Sequence, residues 1–245
     1  MPAAAKTLDA ARLKRVAAAL GADVVGVADT ALLAGIETEP SDLLEGFPRA
    51  VSLAVRLSDP VLDAITDRPT PLYQAHYERA NILLDQIALG LTQAIQAAGG
   101  RALPLPASQV LNLEKFTSYI SHKAVAVAAG VGWQGKSLLT VNPKFGPRIR
   151  LVSVLTDLPL VPDAPLKNRC GSCDACATAC PAGAIRNVNT ERHYESREQA
   201  LRFELCVSKI MNEHKKLPHI TSAICGVCVA ACPWGRKAGR KRRPN

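Results

Sequence analysis

Aromatic residues are scarce in this sequence, at 4% of 245 positions, and none interleaves with the basic run near the C-terminus. Proteins that read single-stranded nucleic acid stack bases on aromatic rings, so this run offers an RNA little beyond charge. No stretch of 18 or more uninterrupted apolar residues occurs, which excludes a helical membrane span and a membrane partner. The opening Met-Pro-Ala-Ala-Ala-Lys-Thr lacks the apolar core of a secretory signal, so a cytoplasmic setting with reduced thiols is expected. The formal net charge is +9, but six of the 30 basic residues (Arg236, Lys237, Arg240, Lys241, Arg242 and Arg243) crowd into residues 236–245. With 21 acidic residues to offset the others, the body of the chain is close to neutral. The basic tail reads as a solvated segment, or as a contact for an RNA or acidic protein partner.

What the chain does have is cysteine in a pattern. Residues 170–181 read Cys-Gly-Ser-Cys-Asp-Ala-Cys-Ala-Thr-Ala-Cys-Pro, the C-x2-C-x2-C-x3-C-P run that holds a cubane iron–sulfur cluster in bacterial ferredoxins. Three thiolates two residues apart let one tight loop wrap three irons, while the fourth points away toward another cluster. The segment Cys225-x2-Cys228-x3-Cys232-Pro233 supplies the partner, and Cys206 upstream supplies the remaining thiolate. The spacing assigns Cys170, Cys173, Cys176 and Cys232 to one 4Fe-4S cluster, and Cys180, Cys206, Cys225 and Cys228 to a second. A pair of tetrahedral zinc sites is the competing reading, since C-x2-C pairs also bind zinc. A disulfide framework fits less well, because a chain that is 48% hydrophobic can bury a sizeable core without staples. Each cluster with its four thiolates carries about −2, which the basic tail could offset.

Along the chain, Thr7 is placed to cap a first helix bearing Leu13, Val16 and Leu20, which Gly21 ends. Residues 22–29 and 50–57 read as buried strands, with a loop over 35–48 between them. The longest helix signal starts at Thr70-Pro71 and stops at Gly99-Gly100. Its stripe of Tyr73, Tyr77, Ala80, Leu84, Ile87, Leu91 and Ile95 predicts core packing. Residues 101–105 are extended, and 121–130 form a second helix in which His122 and Lys123 read as an exposed face. The loop Gly130-Val131-Gly132-Trp133-Gln134-Gly135-Lys136-Ser137 follows. Its glycines permit close backbone approach, and a phosphate cradle is one possibility. Residues 138–141 and 150–156 read as strands around the turn 142–147. Pro159, Pro162 and Pro165 mark a linker, after which 196–212 is expected as a helix carrying Cys206, and 221–231 as the element leading into the last ligands. The fold class expected is α/β or α+β, with a large domain over 1–160, a two-cluster domain over 161–235 and the basic tail over 236–245.

Several motifs then fall in one order: Ala129 through Ser137, Gly146-Pro147-Arg148, Thr156-Asp157-Leu158-Pro159-Leu160, and two linked cluster motifs ending Cys232-Pro233-Trp234. That order resembles epoxyqueuosine reductases over residues 115–235, and residues 146–157 look like the corresponding part of corrinoid-dependent reductive dehalogenases. The resemblance implies a nitroreductase-like corrinoid-binding-type domain followed by a ferredoxin-like module, with electrons passed inward to a cobalamin or other cobamide. It also implies a low-potential electron donor such as ferredoxin or flavodoxin. It places corrin contact on Gly132, Trp133, Gly135, Lys136 and Ser137. The proton-donating aspartate of epoxyqueuosine reductases falls on Phe116 here, which cannot donate a proton. Tyr119 is the nearby residue that could, as a tyrosine does in the dehalogenases. The resemblance is to a shortened form, since the helical-repeat domain many of those reductases carry for tRNA has no counterpart in these residues. The reading is an iron–sulfur oxidoreductase acting through a cobamide on an unidentified substrate. Its alternatives are an electron-transfer partner without its own substrate and a tRNA-binding protein of the queuosine pathway.

Overall fold

A computed structural model describes residues 8–236, so Thr7 and the tail beyond Arg236 lie outside the described residues. In chain order the elements begin with α1 (Ala10–Ala19), β1 (Val24–Asp29), β2 (Arg49–Arg56), α2 (Asp59–Asp63), α3 (Pro71–Ala97), β3 (Ala102–Leu105) and α4 (His122–Ala128). They continue with β4 (Trp133–Gln134), β5 (Thr140–Val141), β6 (Ile149–Thr156), α5 (Ala175–Thr178), α6 (Arg197–Ala200), α7 (Phe203–Ser208) and α8 (Val227–Ala231). Mixed helix and sheet is the class expected. The chain forms two compact units that do not follow a single cut. The first runs to Val55 and adds Asn81–Val131 and Arg150–Leu166; the second takes Arg56–Ala80, Gly132–Ile149 and everything from Lys167. The last switch lies between Leu166 and Lys167, and two earlier segments join the cysteine-bearing unit.

The first unit is built on a four-stranded sheet of order β1-β2-β6-β3. β1 pairs antiparallel with β2, Val24 facing Ala54 and Asp29 facing Arg49, and β3 pairs antiparallel with β6, Ala102 facing Thr156. β2 and β6 read as near-continuous apolar runs because both are buried along almost their whole length. Helix α1 starts at Asp9, whose carboxylate accepts from the Arg12 amide at 2.8 Å, and ends where Gly21 turns with φ 113°. Leu13 and Ala17 of α1 join Leu84, Ile87, Leu91 and Ile95 of α3 and Val27, Val51, Leu53, Val152 and Val154 of the sheet in one core. The predicted stripe is thus correct, with Tyr73 and Ala80 at its start serving the second unit's core instead.

Two local details correct the sequence reading. His122 is half-buried rather than exposed: one ring nitrogen lies 2.9 Å from the Pro106 carbonyl and the other 2.9 Å from the Ser153 hydroxyl. The carbonyl only accepts, so Nε2 carries the proton, Nδ1 accepts from Ser153, and burial pushes the imidazole pKa down. The helix expected over 196–212 is broken, because Leu201 is extended (φ −131°, ψ 145°) and bridges Ile185. The Arg202 amide then donates to the Ala184 carbonyl at 2.8 Å. These bonds outcompete helix continuation, and residues 209–213 close as a wide turn after α7.

The second unit has a core of Leu57, Leu62, Ile65, Tyr73, Ile220, Ile224 and Val227. Next to it sits Arg148, only 1% exposed, with its two terminal nitrogens 3.1 Å from Asp59 and 3.1 Å from Asp63. This ion pairing explains why segments 56–80 and 132–149 belong to one unit, and it gives the Gly-Pro-Arg motif a structural task. In the first unit the tightest point is Gly26, where a Cβ would overlap the carbonyl oxygen of Ala129 at the end of α4. Gly26→Ala is expected to destabilise the chain by about 1–3 kcal/mol, the usual range for overpacking. A urea midpoint indistinguishable from wild type would show that β1 and α4 are not in contact there.

Candidate metal centre

The cysteine loop is shaped by its own backbone bonds. Asn168 accepts from the Cys170 amide at 2.8 Å and donates its carboxamide N–H to the Gln134 and Thr190 carbonyls, anchoring the loop at its entry. Gly171 takes φ 52°, the Cys173 amide donates to the Cys170 carbonyl at 3.1 Å, and the short helix α5 carries Cys176. Across from it, Gly226 adopts φ 81° between Cys225 and Cys228, and a Cβ there would lie 2.6 Å from the Tyr73 ring. Helix α8 follows and delivers Cys232 at its C-terminal end. The element expected over 221–231 is helical only in this last turn, because Gly226 forces the left-handed conformation just before it.

These elements bring Cys170, Cys173, Cys176 and Cys232 to one cavity and set Cys206 and Cys180 near Cys225 and Cys228. Burial pushes the Cys232 thiol up to about 12, and the thiolates that add to the rise are Cys170, Cys176 and Cys173. Burial likewise pushes Cys225 up to about 11, with Cys206 and Cys180 contributing. Cys228 is raised mainly by burial, then by Cys225, Cys206, Cys176 and Cys180. Among the described residues, no three His, Cys, Asp or Glu side chains converge tightly enough to hold a single metal ion. Cys173 is exposed and the other seven thiols are half-buried, and four cysteines opening on one cavity are the donor set a cubane takes.

The glycine loop of residues 130–137 forms a wall of the first thiol group. Gly135, Lys136 and Ser137, with Val141, Pro233 and Trp234, line the cavity into which Cys170, Cys173, Cys176 and Cys232 open. The Trp133 indole N–H points at the Cys170 sulfur at 3.4 Å, and the Lys136 ammonium donates to the Cys173 carbonyl at 2.9 Å. The Trp133 ring is also held edge-on by Trp234, centroids 4.8 Å apart, with the Arg169 guanidinium 5.8 Å from its face. A Cβ on Gly132 would lie 2.5 Å from the Val141 carbonyl oxygen, and one on Gly135 2.7 Å from the Val141 side chain, so these glycines admit the β4–β5 pair. The run does satisfy the spacings G-x4-G-K-[ST] and G-x-G-x-x-G. A nucleotide loop, however, needs a strand before it and a helix after it, and here α4 precedes and β4 follows. The phosphate-cradle possibility is therefore set aside. Of the five residues that the resemblance sets at a corrin, Trp133 points at the Cys170 sulfur, Lys136 donates to the Cys173 carbonyl, Gly132 and Gly135 lie against Val141, and Ser137 lines the same cavity.

The sequence reading gave no such role to five residues. Asn168 sits two residues before a ligand, the Asx-turn spacing that could have flagged it. Gln134 accepts from the Tyr194 amide at 3.0 Å, and the Tyr194 hydroxyl donates to the Val188 carbonyl at 2.6 Å. Burial, then Cys170 and Cys176, push Tyr194 up to about 12, which places it beside the first group. Gly146 and Gly235 cross so closely that a Cβ on either would overlap the other strand's carbonyl, Trp234 in one case and Phe145 in the other. Nothing local in the sequence announces Tyr194 or the crossing. Elsewhere, in the first unit, Phe116 adopts φ 52°, rare for an aromatic residue, and half-buried Tyr119 accepts from the Glu39 amide through its carbonyl at 2.9 Å.

The class these features define is that of double-cluster iron–sulfur proteins, and residues 169–235 match the family described as "4Fe-4S double cluster binding domain". The relatives carry the comparison further. The chain is 30% identical over 127 residues to epoxyqueuosine reductase of Listeria monocytogenes, covering 49% of this chain and 31% of that protein. It is 30% identical over 207 residues to tetrachloroethene reductive dehalogenase of Dehalobacter restrictus, covering 78% and 34%. Among solved structures, a catabolic reductive dehalogenase superposes with TM-score 0.71 at 22% identity over 92% of this chain and 32% of the other. An epoxyqueuosine reductase bound to a tRNA stem loop superposes with TM-score 0.62 at 21% identity over 96% and 67%. The chain is thus related to epoxyqueuosine reductases and reductive dehalogenases, and it shares their fold. It spans about a third of these curated relatives' length. No helix among the described residues is long and apolar enough to cross a membrane.

Two expectations follow. Thiols raised by burial favour the neutral form in the folded, cluster-free chain, so their stabilisation is complete below the ordinary thiol value of 9.0 and is lost as pH climbs through 11 to 12. Urea midpoints of the cluster-free protein should hold level up to about pH 9 and then drop, and drop less in Cys225→Ser. Equal drops in both proteins would remove the buried thiols as the cause. Second, Cys232→Ser and Cys206→Ser should each lose roughly four of about eight irons, and the double variant nearly all. Loss of all iron in either single variant would contradict two separate groups.

Proposed function

We propose that the chain is an iron–sulfur oxidoreductase. Cys170, Cys173, Cys176 and Cys232 hold one 4Fe-4S cluster and Cys180, Cys206, Cys225 and Cys228 the other, and low-potential electrons are relayed toward a bound cobamide that reduces a substrate. The observation that supports the reading is the cavity on which Cys232, from the second Cys-Pro segment, opens together with Cys170, Cys173 and Cys176. The clusters supply one-electron transfer and the cobamide a reducible cobalt. The protein's own residues do the rest. Asn168 and Gly171 set the cysteine loop, and Trp133 orients Cys170. Tyr119 is the proposed proton donor, and the proposed electron donor is of the ferredoxin or flavodoxin type.

The cobamide rests on the relatives, one of them solved in a study of "B12-dependent dehalogenation", rather than on the side chains of the glycine loop. A second reading, an electron-transfer partner with no substrate of its own, is favoured by Phe116, which offers no proton where the related reductases have an aspartate. An anaerobic optical and EPR titration of the cluster-reconstituted protein with cob(II)alamin separates the two. Cubane signals with a base-off cobalt spectrum are expected. An unchanged free-cobalamin spectrum beside intact cubane signals would overturn the cobamide reading and leave the electron carrier.

A further inference from the structure

Lys136 is 4% exposed, and it is the one charged side chain among the residues lining the first thiol group's cavity. Its ammonium donates to the Cys173 carbonyl at 2.9 Å, and among the described residues no carboxylate pairs with it. A buried ammonium without an anion is costly, by several kcal/mol even after relaxation. The four cysteines of the first group share the cavity that Lys136 lines. Around the second group the arrangement differs: Lys209 acts on Cys225 but is already paired with Glu213 at 2.5 Å and is 24% exposed.

We infer that Lys136 uses the cluster on Cys170, Cys173, Cys176 and Cys232 as its counter-ion and holds that cluster's reduction potential above that of the second. The inference rests on the two-cluster reading above and is independent of the cobamide. The step is a one-electron transfer: the reductant loses one electron, the cluster gains it, and no bond breaks or proton moves. With its four thiolates the cluster goes from about −2 to about −3, so a fixed nearby positive charge stabilises the reduced form more than the oxidised one. Burial makes this stronger than the same charge would be at the surface. The Trp133 N–H at the Cys170 sulfur acts in the same sense. Electrons entering at the Cys180 group then run downhill to the Cys170 group, so Lys136 sets the direction of flow.

The test is an EPR-monitored redox titration of the reconstituted full chain with dithionite, with iron content measured for each protein. Cys173→Ser identifies the first cluster by perturbing its signal alone. Lys136→Met should lower the first cluster's midpoint potential, leave the second where it is, and keep the iron; Lys136→Arg should stay near wild type. An unmoved first midpoint in iron-replete Lys136→Met, or equal shifts of both clusters, overturns the inference. Should Lys136→Met fail to assemble, the wild-type titration decides: the first cluster must be the easier to reduce, and the reverse order overturns the inference. Cob(II)alamin uptake by the same wild-type sample is read separately, so loss of the cobamide reading and loss of this one give different results.

Discussion

Thiolates do not tolerate burial, and this constraint organises the second unit. Four of them gathered in a low-dielectric cavity repel one another and miss their hydration, which is why the thiols of Cys225, Cys228 and Cys232 are pushed far above their ordinary value. Only a cationic core of irons turns that arrangement from a liability into a bond. Assembly therefore releases protons and couples to folding, and the chain around the thiols must be held in place before the irons make it favourable.

The holding is done by glycines and by one buried arginine. Gly146 and Gly235 let two backbone segments cross at a distance no Cβ would permit, which fixes the stretch after Cys232 against the turn before Arg148. Arg148 in turn spans Asp59 and Asp63, closing the segment that carries Tyr73, against which Gly226 packs between Cys225 and Cys228. The desolvation of that arginine is offset only while both carboxylates stay in place. One of its nitrogens, Nε, has no partner among the described residues, so the pair works as a clamp rather than as a source of large net stability.

Much of this was legible from the sequence because it is periodic or local. Strands β1, β2 and β6, helices α1 and α3, and the α3 stripe followed from runs and spacings that need no distant partner. The cysteine motif of the double-cluster domain was legible because cluster loops impose short, rigid intervals. Where the reading failed, a distant partner had intervened: Leu201 left its helix to bridge Ile185, and His122 turned inward because the Pro106 carbonyl and the Ser153 hydroxyl were there to receive it. The glycine loop looked like a surface offered to a ligand, and its Trp133 and Lys136 side chains both donate to the cysteine loop.

By itself the sequence determined that eight cysteines stand at the spacing of cluster ligands and that helix and sheet are mixed, since thiolate spacing and hydrophobic period are properties of neighbouring residues. Only the tertiary structure decided which segments make one unit, what Trp133 and Lys136 face, and that a lysine without a carboxylate lies beside the first thiol group. Those outcomes depend on burial and on the meeting of chain segments far apart in sequence, as Lys136 and Cys173 meet. Charge separation and close backbone crossing are settled by three-dimensional neighbours that no local pattern encodes.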